Sequence, residues 1–259
     1  MILDKIVEST RERVYMQKRN QPVGKIKEIA ENMLIDKRFV FEEALRKEEL
    51  SFICEVKKAS PSKGIIAEEF LYMEIAKDYQ EAGAACISVL TEPQYFLGNN
   101  RHLEEISRAV SIPILRKDFT IDSYQIYEAK IIGASAILLI SSILSAEQLE
   151  RYITIADSLG LSSLVEAHTK EDIFKSLDAG ARIIGVNNRN LNNFQVDFSN
   201  CIELRDIVPP NIIYISESGI NSFEHVQELK KHKVNAVLVG ETLMRSKDKK
   251  ELLNQWRAL

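Results

Sequence analysis

Glu55 and Lys57 stand two positions apart in an apolar, β-branched run, SFICEVKK, so an extended chain points both side chains one way and Val56 the other. Charges on that side are costly to bury unless they are used, or unless they form an ordinary ion pair at a strand terminus. The same arrangement recurs along the chain. IPILRKDF ends in Lys117, Asp118 and Phe119, and SSLVEAH ends in Glu166 and His168. RIIGVNNRN ends in Asn187, Asn188, Arg189 and Asn190, IIYISESG in Ser216, Glu217, Ser218 and Gly219, and NAVLVGE in Gly240 and Glu241. A lysine and a glutamate entering one mouth supply an acid and a base. Burial pushes the lysine toward neutrality and the carboxylate toward protonation, while their mutual attraction opposes both shifts. Asn187 offers amide hydrogen bonds and Arg189 a fork suited to a carboxylate, although an Asn-rich segment also reads as a plain turn.

The elements that must carry these groups are legible in outline. With AACISVLTE and ASAILLISS the runs number eight, and helix-patterned stretches separate them. Strand alternating with helix implies parallel pairing with right-handed crossovers. Helices are expected over 67–82, 123–132, 146–159 and 170–179, each ending at a glycine: Gly83, Gly133, Gly160 and Gly180. The length of 259 residues fits one (β/α)8 TIM barrel, read here as a single domain over 1–259. An open doubly wound sheet is the alternative, but its dinucleotide form should show GxGxxG after the first strand, and none is present. In a barrel the working residues lie at the C-terminal strand ends. The loops after strands seven and eight then suit a phosphate, held by backbone N–H groups around Ser218–Gly219 and Gly240–Glu241 ahead of a short helix at 242–245. Lys57 is the expected counter-charge, and the Glu241 side chain should turn away.

Residues 1–50 form an N-terminal helical extension. Apolar residues recur at helical spacing through Ile2, Ile6, Val7 and Val14, then Ile26, Ile29, Ala30 and Met33, then 39–45. Periodicity shows that a face is buried, not whether it covers the barrel bottom or overhangs the mouth. The segment 58–64, with Pro61 and Gly64 among small polar residues, reads as a lid; a static loop bonded through Ser60 and Ser62 is the alternative.

Composition excludes several classes. The net charge of -4 leaves no basic field for nucleic acid. No apolar run approaches the ~20 residues that span a bilayer, and the charged amino terminus is no signal peptide, so a cytoplasmic protein with no membrane partner is expected. Cys54, Cys86 and Cys201 lack CxxC spacing and read as reduced thiols. No metal-ligand spacing occurs, and Ser218 lacks a GxSxG elbow. His102, His225 and His232 read as surface residues, whereas His168 faces the same way as Glu166.

FICEVKKASPSKGII, at 52–66, resembles the signature of the indole-3-glycerol phosphate synthases. The likeness continues through SVLTEPQYFLGN, IPILRKDF, LVEAH, IGVNNRNL, SESGI and VGETLMR in family order, and the first fifty residues are similar to the family's helical extension. The resemblance implies a (β/α)8 barrel that closes an indole ring on a small phosphorylated substrate, without metal or organic cofactor, in tryptophan biosynthesis. It implies Lys117 as principal general acid, Glu166 as base, Glu55 as an assisting carboxylate, and Asn187 holding substrate hydroxyls. Lys57 with Ser218, Gly219, Gly240 and Glu241 would take the phosphate, Arg189 the anthranilate carboxylate, and Ser60 would close with the lid. Phe96 and Phe119 would line an aryl pocket. Another phosphosugar barrel, or a non-catalytic phosphosugar-binding protein, are the rival readings; neither needs Glu55, Lys57, Lys117 and Glu166 together. Contacts with other enzymes of the pathway are not readable from the sequence.

Overall fold

The computed structural model describes residues 1–190 and 194–258. Leu191, last residue of the IGVNNRNL motif, lies outside the described residues. Eight parallel strands close into a barrel: β1 (Ser51–Val56), β2 (Cys86–Leu90), β3 (Ile114–Lys117), β4 (Ala136–Ile140), β5 (Ser162–Ala167), β6 (Ile183–Asn187), β7 (Ile213–Glu217) and β8 (Ala236–Val239). Each pairs with its neighbours in sequence, and β8 closes on β1 through Cys54 opposite Val239. The family of folds expected from the strand rhythm is therefore the one present.

Alternation along the strands sorts the core into two shells. Ile53, Leu115, Leu138, Leu164, Ile213 and Leu238 point inward and fill the barrel. Their neighbours of opposite parity, among them Phe52, Val89, Val165, Val186 and Tyr214, pack outward beneath the helices. Removing such area from water stabilises by roughly 25 cal/mol per Å² of apolar surface.

The helices α4 (Tyr72–Glu81), α5 (Asn100–Ala109), α6 (Ser123–Ile131), α7 (Ala146–Ser158) and α8 (Lys170–Asp178) follow the first five strands. Asn99, Asp122, Ser145 and Thr169 cap four of them by accepting from backbone N–H groups of the first turn. The glycines ending α4, α6, α7 and α8 all lie at positive φ, as expected of left-handed terminators. The α4 start falls later than the periodicity suggests, because Lys58 O accepts from the N–H groups of Ile66 and Ala67 and holds that stretch to the preceding loop.

The extension does both jobs left open by its periodicity. α1 (Ile2–Asn20) lies over the mouth, where Arg13 pairs with Asp118 just beyond β3 and Lys18 pairs with Asp122. α2 (Val23–Glu31) packs on the outer face of α6. α3 (Val40–Leu45) plugs the opposite end, with Phe41 and Leu45 in the interior cluster and Glu42 bound to Arg182 ahead of β6. No described helix is long and apolar enough to cross a membrane.

Candidate active site

Strand parity delivers one inward-facing polar layer at the C-terminal ends. Lys117, last residue of β3, places its Nζ 3.0 Å from Glu166 Oε2 on β5 and 2.7 Å from Glu217 Oε2 on β7. Asn187, ending β6, donates Nδ2 to Glu166 Oε1 at 3.1 Å, and His168 Nε2 stands 3.7 Å from the same oxygen. The groups converge because β6 brings Gly185 opposite Glu166 and Asn187 opposite Glu217. A Cβ at Gly185 would collide with Glu217 Oε1, so the absent side chain makes room for the second carboxylate.

Burial and attraction resolve differently at each group. Burial disfavours the Lys117 ammonium, yet Glu166, Glu217 and Glu55 outweigh it and hold the lysine well above its ordinary pKa. Burial likewise opposes ionisation of Glu166, but Lys117, His168 and Asn187 prevail and lower its pKa. At Glu217 burial wins over Lys117, and the charges of Glu166 and Glu55 add to it, so its pKa rises from 4.5 to about 7. One lysine between two buried carboxylates thus gives a charged acid, an ionised base and a third group that titrates near neutrality.

Glu55 and Lys57 pair directly at the end of β1, as their spacing suggests. A Cβ at Gly240 would strike Glu55 Oε1 and lie 2.8 Å from Lys57 Nζ, so β8 ends in glycine where this pair needs the space.

Glu55, Lys57, Lys117, Glu166, Asn187 and Glu217 all open on one cavity of about 1070 Å³. Its apolar end is built by Phe96 and Phe119, whose rings lie 6.0 Å apart, together with Leu138, Ile140 and Ile2, Leu3 and Ile6 of α1. Glu92 shapes the Phe96 loop: its buried carboxylate accepts from the N–H groups of Gln94, Tyr95 and Phe96 at 2.7–3.0 Å. Behind Phe119, Asp118 accepts from Arg13 Nη2, Thr91 Oγ1, Arg116 Nη2 and the N–H of Phe119. Arg13 and Arg116 hold the Asp118 carboxyl below its ordinary range despite its burial.

The opposite end holds Lys57, Ser60, Ser218, Gly219, Gly240 and Glu241. Ser218 and Gly219 both sit in the left-handed region, at φ 66° and 78°. The Glu241 side chain turns away from this turn, to Arg245 at 3.2 Å and to Lys63 of the loop after β1 at 3.6 Å. The loop after β1 contains a small hairpin, Ala59–Ser60 against Gly64–Ile65, with Ser60 and Ser62 hydroxyls 3.5 Å apart. Arg189 reaches the cavity too, its Nη1 donating to Phe194 O at 3.2 Å.

Every site residue expected from the sequence therefore lines or borders this cavity. Two assignments change. Glu217 went without a role, although Ile213, Ile215 and Glu217 share the parity of Ile53 and Glu55 and so had to point inward. His225, read as a surface residue, instead lines the cavity, stacked on Phe198 at 4.1 Å; its position three residues into α9 (Phe223–Lys231) gave no hint of the aromatic partner.

A closed (β/α)8 barrel with a lysine held between carboxylates at its C-terminal mouth defines the class: barrel enzymes working by acid–base chemistry. The sequence model of indole-3-glycerol phosphate synthase matches residues 3–256. A protein of that name from Ruminiclostridium cellulolyticum is 53% identical over 96% of this chain and 95% of its own. Another, from Endomicrobium trichonymphae, is 54% identical over 98% of this chain and 99% of its own. Among solved structures, a 3-hexulose-6-phosphate synthase superposes with a TM-score of 0.65 at 12% identity, covering 81% of this chain and 99% of that one, a likeness of fold alone. The chain belongs to the indole-3-glycerol phosphate synthase family.

Proposed function

We propose that this chain converts 1-(o-carboxyphenylamino)-1-deoxyribulose 5-phosphate to indole-3-glycerol phosphate, releasing carbon dioxide and water. The observation that carries the reading is Lys117 bound between Glu166 and Glu217 in one cavity that also holds the Phe96–Phe119 pair and Lys57 with the glycine turns. The aryl ring lies against Phe96 and Phe119, and the phosphate lies by Lys57 and the turns at Ser218–Gly219 and Gly240–Glu241. The ketone between them then meets Lys117.

As the ring carbon bonds to the ketone carbon, Lys117 gives its proton to the ketone oxygen, which becomes a hydroxyl. The carboxyl group leaves as carbon dioxide, its bonding pair restoring the aromatic ring. The hydroxyl departs as water after taking a proton from an acid, and Glu166 accepts the proton that completes the indole. Glu55 holds Lys57 in place, Asn187 fixes Glu166 and a substrate hydroxyl, and Arg189 grips the anthranilate carboxylate. Ser60 rides on the lid over the phosphate.

Appearance of indole fluorescence from the carboxyphenylamino substrate tests the activity. A positioned acid or base contributes at least about a hundredfold, so Lys117→Ala and Glu166→Gln should each lower kcat by that much. Values within about threefold of wild type would remove both residues from these roles.

A further inference from the structure

We propose that Asn188 and His225 are positioning residues that hold the Ser218–Gly219 turn in the shape that presents its N–H groups to the substrate phosphate. The inference rests on the phosphate end of the reading above. Two successive left-handed residues curl the chain through a single turn, which sends consecutive N–H groups to one side and carbonyls to the other. Ser218 lacks glycine's freedom there, so its conformation is strained and needs support from its surroundings.

That support is visible on the carbonyl side. Asn188 Nδ2 donates to Ser218 O at 3.0 Å, and His225 Nδ1 stands 3.1 Å from Gly219 O. A carbonyl only accepts, so the proton of that contact sits on Nδ1. On the other side, no described residue accepts from the N–H groups of Ser218, Gly219 or Ile220, and all three residues line the cavity. Adjacent backbone N–H groups with no protein acceptor, on residues that line a cavity, suit an anion.

Both supporting side chains are themselves fixed. Asn188 is buried; its Nδ2 also donates to Ser216 Oγ at 3.1 Å and its Oδ1 accepts from Cys201 N at 3.1 Å, so the amide has one orientation. The His225 ring lies on Phe198 with an interplanar angle of 15°. The turn has no slack on its remaining flank, since a Cβ at Gly219 would stand 2.6 Å from Val196 Cγ1. Asn188 follows β6 and His225 belongs to α9, so separate elements grip two consecutive carbonyls. Neither side chain has a hydrogen bond to Lys117, Glu166 or Glu217, so the grip bears on binding of the phosphate and not on proton transfer.

Competitive inhibition by inorganic phosphate reads the turn directly. Asn188→Asp keeps the size and the acceptor for Cys201 N but sets a carboxylate oxygen against Ser218 O. His225→Phe keeps the stack on Phe198 and removes the donor. Breaking these contacts should raise the phosphate inhibition constant about tenfold for Asn188→Asp and about fivefold for His225→Phe. KM should rise with it, kcat should move less, and the pH profile of kcat should keep its shape. Inhibition constants within twofold of wild type in folded variants overturn the proposal, as does a loss confined to kcat. If Asn188→Asp does not fold, His225→Phe decides alone. Wild-type enzyme that phosphate fails to inhibit competitively overturns the phosphate site itself, a failure distinct from that of the two variants.

Discussion

Glu217→Gln separates the stability of the barrel from the charge its site carries. The folded protein raises this carboxyl from 4.5 to about 7, first by burial and then by the nearby charges of Glu166 and Glu55. A group whose folded pKa lies above its unfolded value contributes stability in full below the unfolded value, near pH 4.5, and loses it as pH rises through the folded value, near 7. At about 1.4 kcal/mol per pH unit, the displacement amounts to about 3 kcal/mol. Glutamine is neutral at every pH and keeps an oxygen for Lys117 Nζ, so the variant escapes that loss. Relative to wild type, Glu217→Gln should gain about 3 kcal/mol between pH 4.5 and pH 8.5, a large part of the 5–15 kcal/mol typical of a folded domain. In a chain of this size that corresponds to about 2–4 °C of Tm for each kcal/mol. Urea or thermal unfolding of both proteins across that range measures it, and the comparison cancels the titrating groups that lie far from Glu217. Stability curves that run parallel from pH 4.5 to 8.5 would show that Glu217 is not held protonated by its burial, and the electrostatic account of the site would fall.

Other consequences are as direct. Gly240→Ala drives a methyl into the Glu55–Lys57 pair and should lower kcat/KM at least about tenfold while leaving the far-ultraviolet circular dichroism of the barrel intact. Arg13→Ala leaves buried Asp118 with Arg116 as its remaining cation and should destabilise by about 1.5–3 kcal/mol in denaturant titration, with KM raised because α1 also lines the aryl end. If lid opening limits turnover, kcat should fall as solvent viscosity rises, and Lys63→Ala, which frees the lid from Glu241, should weaken that dependence; a flat viscosity series refutes the gate.

The strand ends were legible because a parallel barrel repeats one rule: β-branched run, polar terminus, then helix, closed by a glycine at four of the helices. Glu55, Lys117, Glu166 and Asn187 follow from that rule with no knowledge of neighbours. Glu217 was equally available, but its strand ends in SES, and only the two-residue alternation back through Ile215 and Ile213 tells which of the polar residues points inward. The rest depended on contacts distant in sequence. Nothing local in Arg13 marks Asp118, 105 residues later, as its partner, and amphipathic spacing in α1 and α3 names a buried face without naming what buries it. His225 occupies an unremarkable helical position, and its part in the cavity comes from Phe198 on another element.

The roofing of the aryl pocket by α1 ties the order of assembly to competence. The α1 segment, which precedes the barrel in the chain, must wait for Asp118, and for Phe119, Leu138 and Ile140, before Ile2, Leu3 and Ile6 have a wall to complete. A closed but unroofed ring would already hold its acid and base while leaving the ring-binding half open to water. In such an assembly, catalytic readiness arrives with the docking of α1 and not with closure of the sheet.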